Sequence, residues 1–246
     1  MAVRPTLLLI ADIAGYTRFM KMHFMSLIHA QDVVAQLLEA VIDAAAPALK
    51  LAKLEGDAAF FYVPGGADGT FAPALVTARA AAIFEAFHAR VADLRANTLC
   101  PCDGCRQSGE LKIKLVGHVG DVAVQQVKHL TELAGVDVIV VHRMLKNDVP
   151  LSEYLLMTQP VYDMLEAPLQ AAAAPIALDL EGLGNTDAYY VDLAACSAAS
   201  RVAPAAGVRP WHERLARHAK LTWRSLPYVL GRKKACAGFR NVPEAG

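Results

Sequence analysis

The sequence predicts an α+β fold in which a mostly antiparallel sheet packs against helices. Three observations predict it. Segments with strand and helix signals follow in the order strand, helix, helix, strand, strand, helix, strand, strand. Two short apolar runs, 48–52 and 58–63, bracket Lys53-Leu54-Glu55-Gly56-Asp57, which reads as strand, tight turn and strand. The 246 residues are 55 % hydrophobic, ample for a sizeable core, yet no apolar run reaches the length of a transmembrane helix, about 18 residues.

The first strand is the run from Thr6, almost purely apolar until Asp12. Arg4 and a short apolar run precede no small-residue cleavage site, so the segment reads as a buried strand and not a signal peptide. Gly15 turns the chain into a short helix to about Met25. A longer helix at 26–49 follows, with Val34, Leu37, Leu38, Val41 and Ala45 on one face and Pro47 ending it. His23 and His29 near its start are given no role, because lone histidines on helices are usually surface or satisfied core residues. The hairpin at Gly56 comes next, since glycine takes a positive φ at no steric cost. Beyond the loop at 64–69, an alanine-rich helix spans 73–95.

Residues 111–115 alternate apolar and charged side chains, as a half-exposed strand does. Gly117 and Gly120 suggest a tight hairpin into a second strand at 121–127. Residues 130–135 lead to a helix at 136–146, whose β-branched content equally suits a strand. A strand at 154–157, a helix at 159–166 with Pro160 in its first turn, and strands at 176–180 and 188–193 close the body. The expected domains are a body at 1–195, with a cysteine-rich loop at 99–109, and a linker and basic tail at 196–246.

Formal net charge is zero but unevenly spread. From Arg201 onward there are ten Lys and Arg against two Glu. Within that tail, residues 211–226 read as an amphipathic helix stopped by Pro227. Trp211, Leu215, Ala219, Trp223 and Leu226 form its stripe, flanked by Arg214, Arg217, Lys220 and Arg224. Such a helix docks on a membrane surface or a protein partner, or packs on its own domain. The expected location is cytoplasmic, with the tail permitting a membrane-peripheral one, and no nucleic acid is expected as partner.

Two constellations carry chemistry. Asp12 and Asp57, at neighbouring strand ends, would form an oxygen-rich pocket suited to Mg²⁺ or Mn²⁺. Taken singly, each acid reads as a turn or helix cap. Cys100, Cys102 and Cys105 offer three soft ligands close together, a candidate Zn²⁺ set. A fourth ligand would be Cys196, Cys236, His118, His88 or a cysteine across a dimer. Otherwise the loop is a set of exposed reduced thiols.

The segments Ile10-Ala11-Asp12-Ile13-Ala14-Gly15-Tyr16-Thr17, Lys53-Leu54-Glu55-Gly56-Asp57-Ala58 and Leu115-Val116-Gly117-His118-Val119-Gly120 occur in this order, followed by Gly135 and Arg143. Together they resemble the class III adenylate and guanylate cyclase catalytic domain over residues 5–193. The details look most like a divergent bacterial branch without an assigned activity. The resemblance implies a ferredoxin-like cyclase fold and a head-to-tail homodimer acting on a nucleoside triphosphate. Asp12 and Asp57, with the carbonyl of Ile13, would hold two metal ions for phosphoryl transfer. Backbone around Gly15, Tyr16 and Thr17 would cradle phosphates. Lys53 matches the lysine that selects adenine, and Glu132 the second base-reading position. Arg143 matches the arginine that stabilises transition-state charge, and His118 a structural histidine. Lys53, Glu132 and Arg143 would come from the subunit opposite the aspartates.

The departures weaken cyclisation. The asparagine expected four residues before the arginine is Ile139, which donates no hydrogen bond. Losing one oriented donor costs about 2 to 4 kcal/mol. A phosphate-binding lysine is replaced by Glu181 beside Gly182, and Asp121 stands where some members place an arginine. Two functions are therefore expected: a weak adenylate cyclase, or a nucleotide- or metal-binding module that does not turn its ligand over.

Overall fold

A computed structural model describes residues 3–22, 27–100, 105, 107–128, 130–196 and 207–232. Cys102, Cys236 and His23, together with most of the linker and the end of the tail, lie outside the described residues. The described residues divide into two compact units. The first draws on Met1–Ala14, Ala40–Phe87 and Lys112–Val202, the second on Gly15–Glu39, His88–Leu111 and Ala203–Gly246.

The first unit holds the whole sheet. Its strands are β1 (Val3–Ala14), β2 (Lys50–Glu55), β3 (Ala58–Pro64), β4 (Lys112–Val127), β5 (Leu130–Ala134), β6 (Tyr154–Thr158), β7 (Ala174–Leu180) and β8 (Gly184–Asp192). They run in the order β2-β3-β1-β4-β6-β8-β7, with β5 paired to β4. Every pairing is antiparallel except β4 with β6. This is the mixed α+β architecture that the element order predicts.

Strand β1 sits centrally, and both its faces are buried. Leu8 and Ile10 face one way, Leu7, Leu9, Ala11 and Ile13 the other, and all six are at most 3 % exposed. A strand covered on both faces must be apolar at every position, which is why this stretch reads as a continuous run. Leu8 and Ile10 join Phe60, Val116, Val122, Tyr154 and Leu156 in one core cluster. Val141 and Met144 enter that cluster from α4 (Val136–Arg143) and the residue just after it. The helical alternative therefore holds for this β-branched segment. Strand β5 precedes it where only a lead-in was expected. Lys128, at φ 58°, makes the turn between β4 and β5.

The glycines of β4 correct a sequence expectation. Gly117 and Gly120 do not make a hairpin, because β4 runs unbroken through both. They mark close approaches instead. A Cβ on Gly120 would lie 2.0 Å from Asp137 Cγ, and one on Gly117 would touch Val161 at 3.4 Å. Asp137, in the first turn of α4, accepts the backbone N–H of Asp121 at 2.8 Å and His118 Nε2–H at 2.9 Å. The Thr158 hydroxyl donates to His118 Nδ1 at 2.9 Å. Both ring nitrogens are thus engaged, giving His118 a structural task that fastens α4 to β4 and β6.

The helices of the chain begin with α1 (Tyr16–Met22), α2 (Leu27–Ala45) and α3 (Leu75–Asn97). After α4 come α5 (Gln159–Tyr162), α6 (Ala167–Ala172), α7 (Leu193–Cys196) and α8 (Trp211–Val229). In the first unit, Arg79 of α3 donates to the Ala44 carbonyl at 3.0 Å, satisfying an end of α2. In the second unit, Arg217 of α8 meets Asp32 of α2 at 2.9 Å, and Arg209 meets Asp93 of α3 at 2.8 Å. Pro227 lies inside α8 and does not stop it at residue 226. So near the end of a helix, proline's missing N–H sacrifices only one hydrogen bond, and the turn closes with Leu230 N–H on the Leu226 carbonyl at 2.9 Å.

Candidate functional site

The aspartates are brought together by β1 and β3. Asp12 pairs with Ala58 in the register, so Asp57, one residue before Ala58, stands beside it at the Gly56 turn. Gly56 takes φ 69°, which only glycine adopts freely. Ile13 N–H donates to the Asp57 carbonyl at 3.2 Å and locks the turn against β1. In a strand, N–H and C=O of one residue point to the same edge, so the Ile13 carbonyl lies on the aspartate side. Both acids are half-buried. Burial raises the Asp12 carboxyl above its usual range, with Lys114 opposing. Burial, and then the negative charge of Asp12, push Asp57 up to about 6. Lys114, opposite Asp12 on β4, was not foreseen.

Two carboxylates whose charges penalise each other form a site that favours a cation. The donor set is entirely oxygen, which fits Mg²⁺ or Mn²⁺. Asp12, Asp57 and the Ile13 carbonyl are the groups that would hold it.

A second constellation lines a groove of about 540 Å³ in the same unit, built from β2, α4 and the β7–β8 turn. Lys53 Nζ meets Glu55 Oε1 at 2.8 Å. Glu55 in turn faces His142 Nε2 at 2.9 Å, and His142 Nδ1 donates to the Val138 carbonyl at 2.7 Å. Burial raises the Glu55 carboxyl, but Lys53 and His142 outweigh it and hold the group below its ordinary value. Arg143 lies on the next position of α4, its Nη1 3.5 Å from Glu181 and otherwise buried without a hydrogen bond. Ile139, one helical turn earlier, lines the same groove and is 47 % exposed. Neither Asp12 nor Asp57 lines this groove, and neither does Glu132, which sits on β5 opposite Gln125. Gly15, Tyr16 and Thr17 open α1 in the second unit, with Gly15 at φ 87°.

Sequence reasoning missed Glu55 and His142. Glu55 had a signal: positions 53 and 55 share one face of a strand. His142 had none beyond adjacency to Arg143.

A third cluster lies in the second unit. His29 Nδ1 is 3.6 Å from Cys100 Sγ and 3.8 Å from Cys105 Sγ. The cysteine loop's partner is therefore the histidine to which no role was given. The candidate His118 is committed to Thr158 and Asp137, and Cys196 is exposed on α7 in the first unit.

The fold is that of the class III nucleotide cyclase catalytic domain. The chain resembles the adenylyl cyclase CyaB from P. aeruginosa with a TM-score of 0.51 and 14 % identity, covering 77 % of this chain and 94 % of that one. A class III adenylyl cyclase-like ATP-binding protein from Pseudomonas aeruginosa aligns at TM-score 0.54 and 18 % identity, over 69 % of this chain and 36 % of that one. At these identities the likeness is one of fold. The "Uncharacterized protein Rv2561/Rv2562" of Mycobacterium tuberculosis is 48 % identical over 209 residues, 85 % of this chain and 94 % of that protein. The chain belongs to the same family as that mycobacterial protein. Residues 34–154 also match the family described as "Protein of unknown function (DUF2652)".

Proposed function

We propose that the protein binds a purine nucleoside triphosphate with Mg²⁺ or Mn²⁺ at the interface of a head-to-tail homodimer, and that it converts this ligand to a cyclic nucleotide slowly or not at all. The observation that carries the reading is the Asp12–Asp57 pair, held side by side with Asp57 pushed up to about 6. The divalent cation would supply charge neutralisation for the triphosphate and activation of the ribose hydroxyl. The chain's own groups divide the remaining work. Lys53 is a donor beside the acceptor Glu55, the polarity of the adenine edge, whose ring nitrogen accepts and whose amino group donates. Arg143 presents a guanidinium to developing phosphate charge, but Glu181 competes for it. Ile139 presents only methyl groups where an oriented donor would serve the transition state. A nearly intact binding site with a depleted stabilising half favours retention over turnover.

The test is calorimetric titration of the purified protein with ATP and GTP analogues in Mn²⁺, with cyclic product assayed on the natural nucleotides. Binding, adenine preferred, with little or no product is expected. Failure of any nucleotide to bind overturns the proposal, as does fast turnover by the parent chain, and turnover that survives Asp57→Asn overturns the metal role of the aspartate pair.

One observation favours an added location for the molecule. Trp211 and Trp223 on α8 are 72 % and 76 % exposed, with Leu215 between them, Leu226 one turn beyond, and the exposed Lys220 and Arg224 alongside. We infer that this face lies on an anionic membrane surface, since indole, aliphatic and cationic groups in one helical stripe match the headgroup layer. Trp211→Ala/Trp223→Ala is expected to weaken co-sedimentation with phosphatidylserine vesicles by at least about tenfold. Equal sedimentation of the parent protein with neutral and anionic vesicles, or none with either, counts against it.

A further inference from the structure

We propose that His29, Cys100 and Cys105 supply three of the four ligands of a structural zinc centre in the second unit. The three ligand atoms lie within 4.8 Å of one another. Their separations can be tested against what zinc requires. Tetrahedral bonds of about 2.0 Å to nitrogen and about 2.3 Å to sulfur place those two ligand atoms about 3.6 Å apart. The separations from His29 Nδ1 are 3.6 Å to Cys100 and 3.8 Å to Cys105. The same atoms also satisfy weak S–H···N hydrogen bonds at the level of distance alone. One ring nitrogen facing two sulfurs at nearly equal distance is the arrangement of three ligands around a single cation.

The surroundings agree. The cluster borders a cavity of about 20 Å³, large enough for one water-sized particle. Two thiolates and a neutral imidazole around Zn²⁺ make an electroneutral set, the condition for burying a dication cheaply. Two arginines line the cavity: Arg217 has its charge answered by Asp32 at 2.9 Å, and Arg214 has its Nε buried without a hydrogen bond among the described residues. Ser108 braces the loop, its hydroxyl donating to the Cys105 carbonyl at 2.9 Å. Nitrogen and sulfur ligands select zinc over the hard ions suited to Asp12 and Asp57.

The centre joins parts of the chain 71 residues apart, the start of α2 and the segment after α3. Asp32 lies one turn beyond His29 on α2 and pairs with Arg217 of α8. The zinc therefore fixes the turn of α2 that anchors the tail helix. Its role is to hold the second unit together, and the two thiolates make that hold sensitive to oxidation.

The test begins with the intact protein, purified without chelator and supplied with Zn²⁺. About one zinc per chain is expected by elemental analysis. Co²⁺ in place of zinc should give the intense visible bands of a tetrahedral site and sulfur-to-metal charge transfer in the near ultraviolet. Cys105→Ser and His29→Ala should each lose most of the metal, while Cys196→Ser keeps it. Because the first two variants can misfold, the cobalt spectrum of the parent chain decides on its own. No charge-transfer band, retention of zinc by the doubly substituted H29A/C105S chain, or a metal-free chain with Cys100 and Cys105 in a disulfide overturns the proposal. Amide exchange in α8 should speed up when a chelator strips the metal, and unchanged exchange removes the anchoring role.

Discussion

Asp57 shows how a single residue reports on its neighbours. Its carboxyl, at 3.8 when free, titrates near 6 in the folded chain, first through burial and then through the charge of Asp12. Between those values the folded state keeps a proton that the unfolded state has lost. Stability from this group is therefore highest at low pH and falls as pH rises toward 6, leaving a full penalty above it. Asp57→Asn removes that penalty. Without metal, the stability gap between variant and parent should move in the variant's favour by about 1 kcal/mol from pH 4 to pH 8, after discounting for solvent screening at a half-buried site. Denaturant unfolding in chelator at the two pH values checks this, and a gap that stays constant contradicts it. Mn²⁺ binding should show the complementary trend, strengthening as pH rises through 6.

At the scale of elements, the β4–α4 contact is the most exacting joint of the first unit. Gly120→Ala would drive a Cβ into the Asp137 carboxylate at 2.0 to 2.4 Å, and that carboxylate also holds His118 and the Asp121 N–H. The substitution should cost at least about 2 kcal/mol, seen as a lowered Tm. Gly56→Ala meets nothing within 4 Å and should cost less, through its positive φ alone. The same joint explains what could be read from the sequence. Strand β1 and the Gly56 hairpin were legible because each rests on local pattern, whereas the β-branched residues of Val136–Arg143 suit helix and strand alike, and only packing on the core makes them a helix. Gly117 and Gly120 were misread because a glycine needed for close approach looks the same as one needed for a turn, and Val161 and Asp137, which decide the matter, lie 44 and 17 residues further on. The adjacency of Asp12 and Asp57 was legible through their position at strand ends. The bond from Glu55 to His142, and the meeting of His29 with Cys100, bridge 87 and 71 residues and left no periodic trace.

Across the whole molecule, the separation of the two half-sites makes a prediction about assembly. The aspartate pair and the Lys53–Arg143 groove do not share lining residues within one chain. If each site is completed by a second copy, Asp57→Asn and Arg143→Ala homodimers each carry two damaged sites. Mixed dimers carry one intact site and one with both defects. Mixing the two variants after dissociation should restore nucleotide binding that neither shows alone. Absence of restoration, with mixed dimers verified by mass, would place the complete site within one chain.

The make-up of the second unit bears on how the chain is born. Its described residues come from three stretches, and α8 supplies the last of them. During synthesis, the 91 residues 112–202, which hold the greater part of the sheet, leave the ribosome between the second stretch and the third. A nascent chain can therefore begin to pair its strands while His29, Cys100 and Cys105 still lack the helix that packs beside them. Those thiols are open to solvent and oxidants for that interval, so the moment of greatest vulnerability precedes the finished protein.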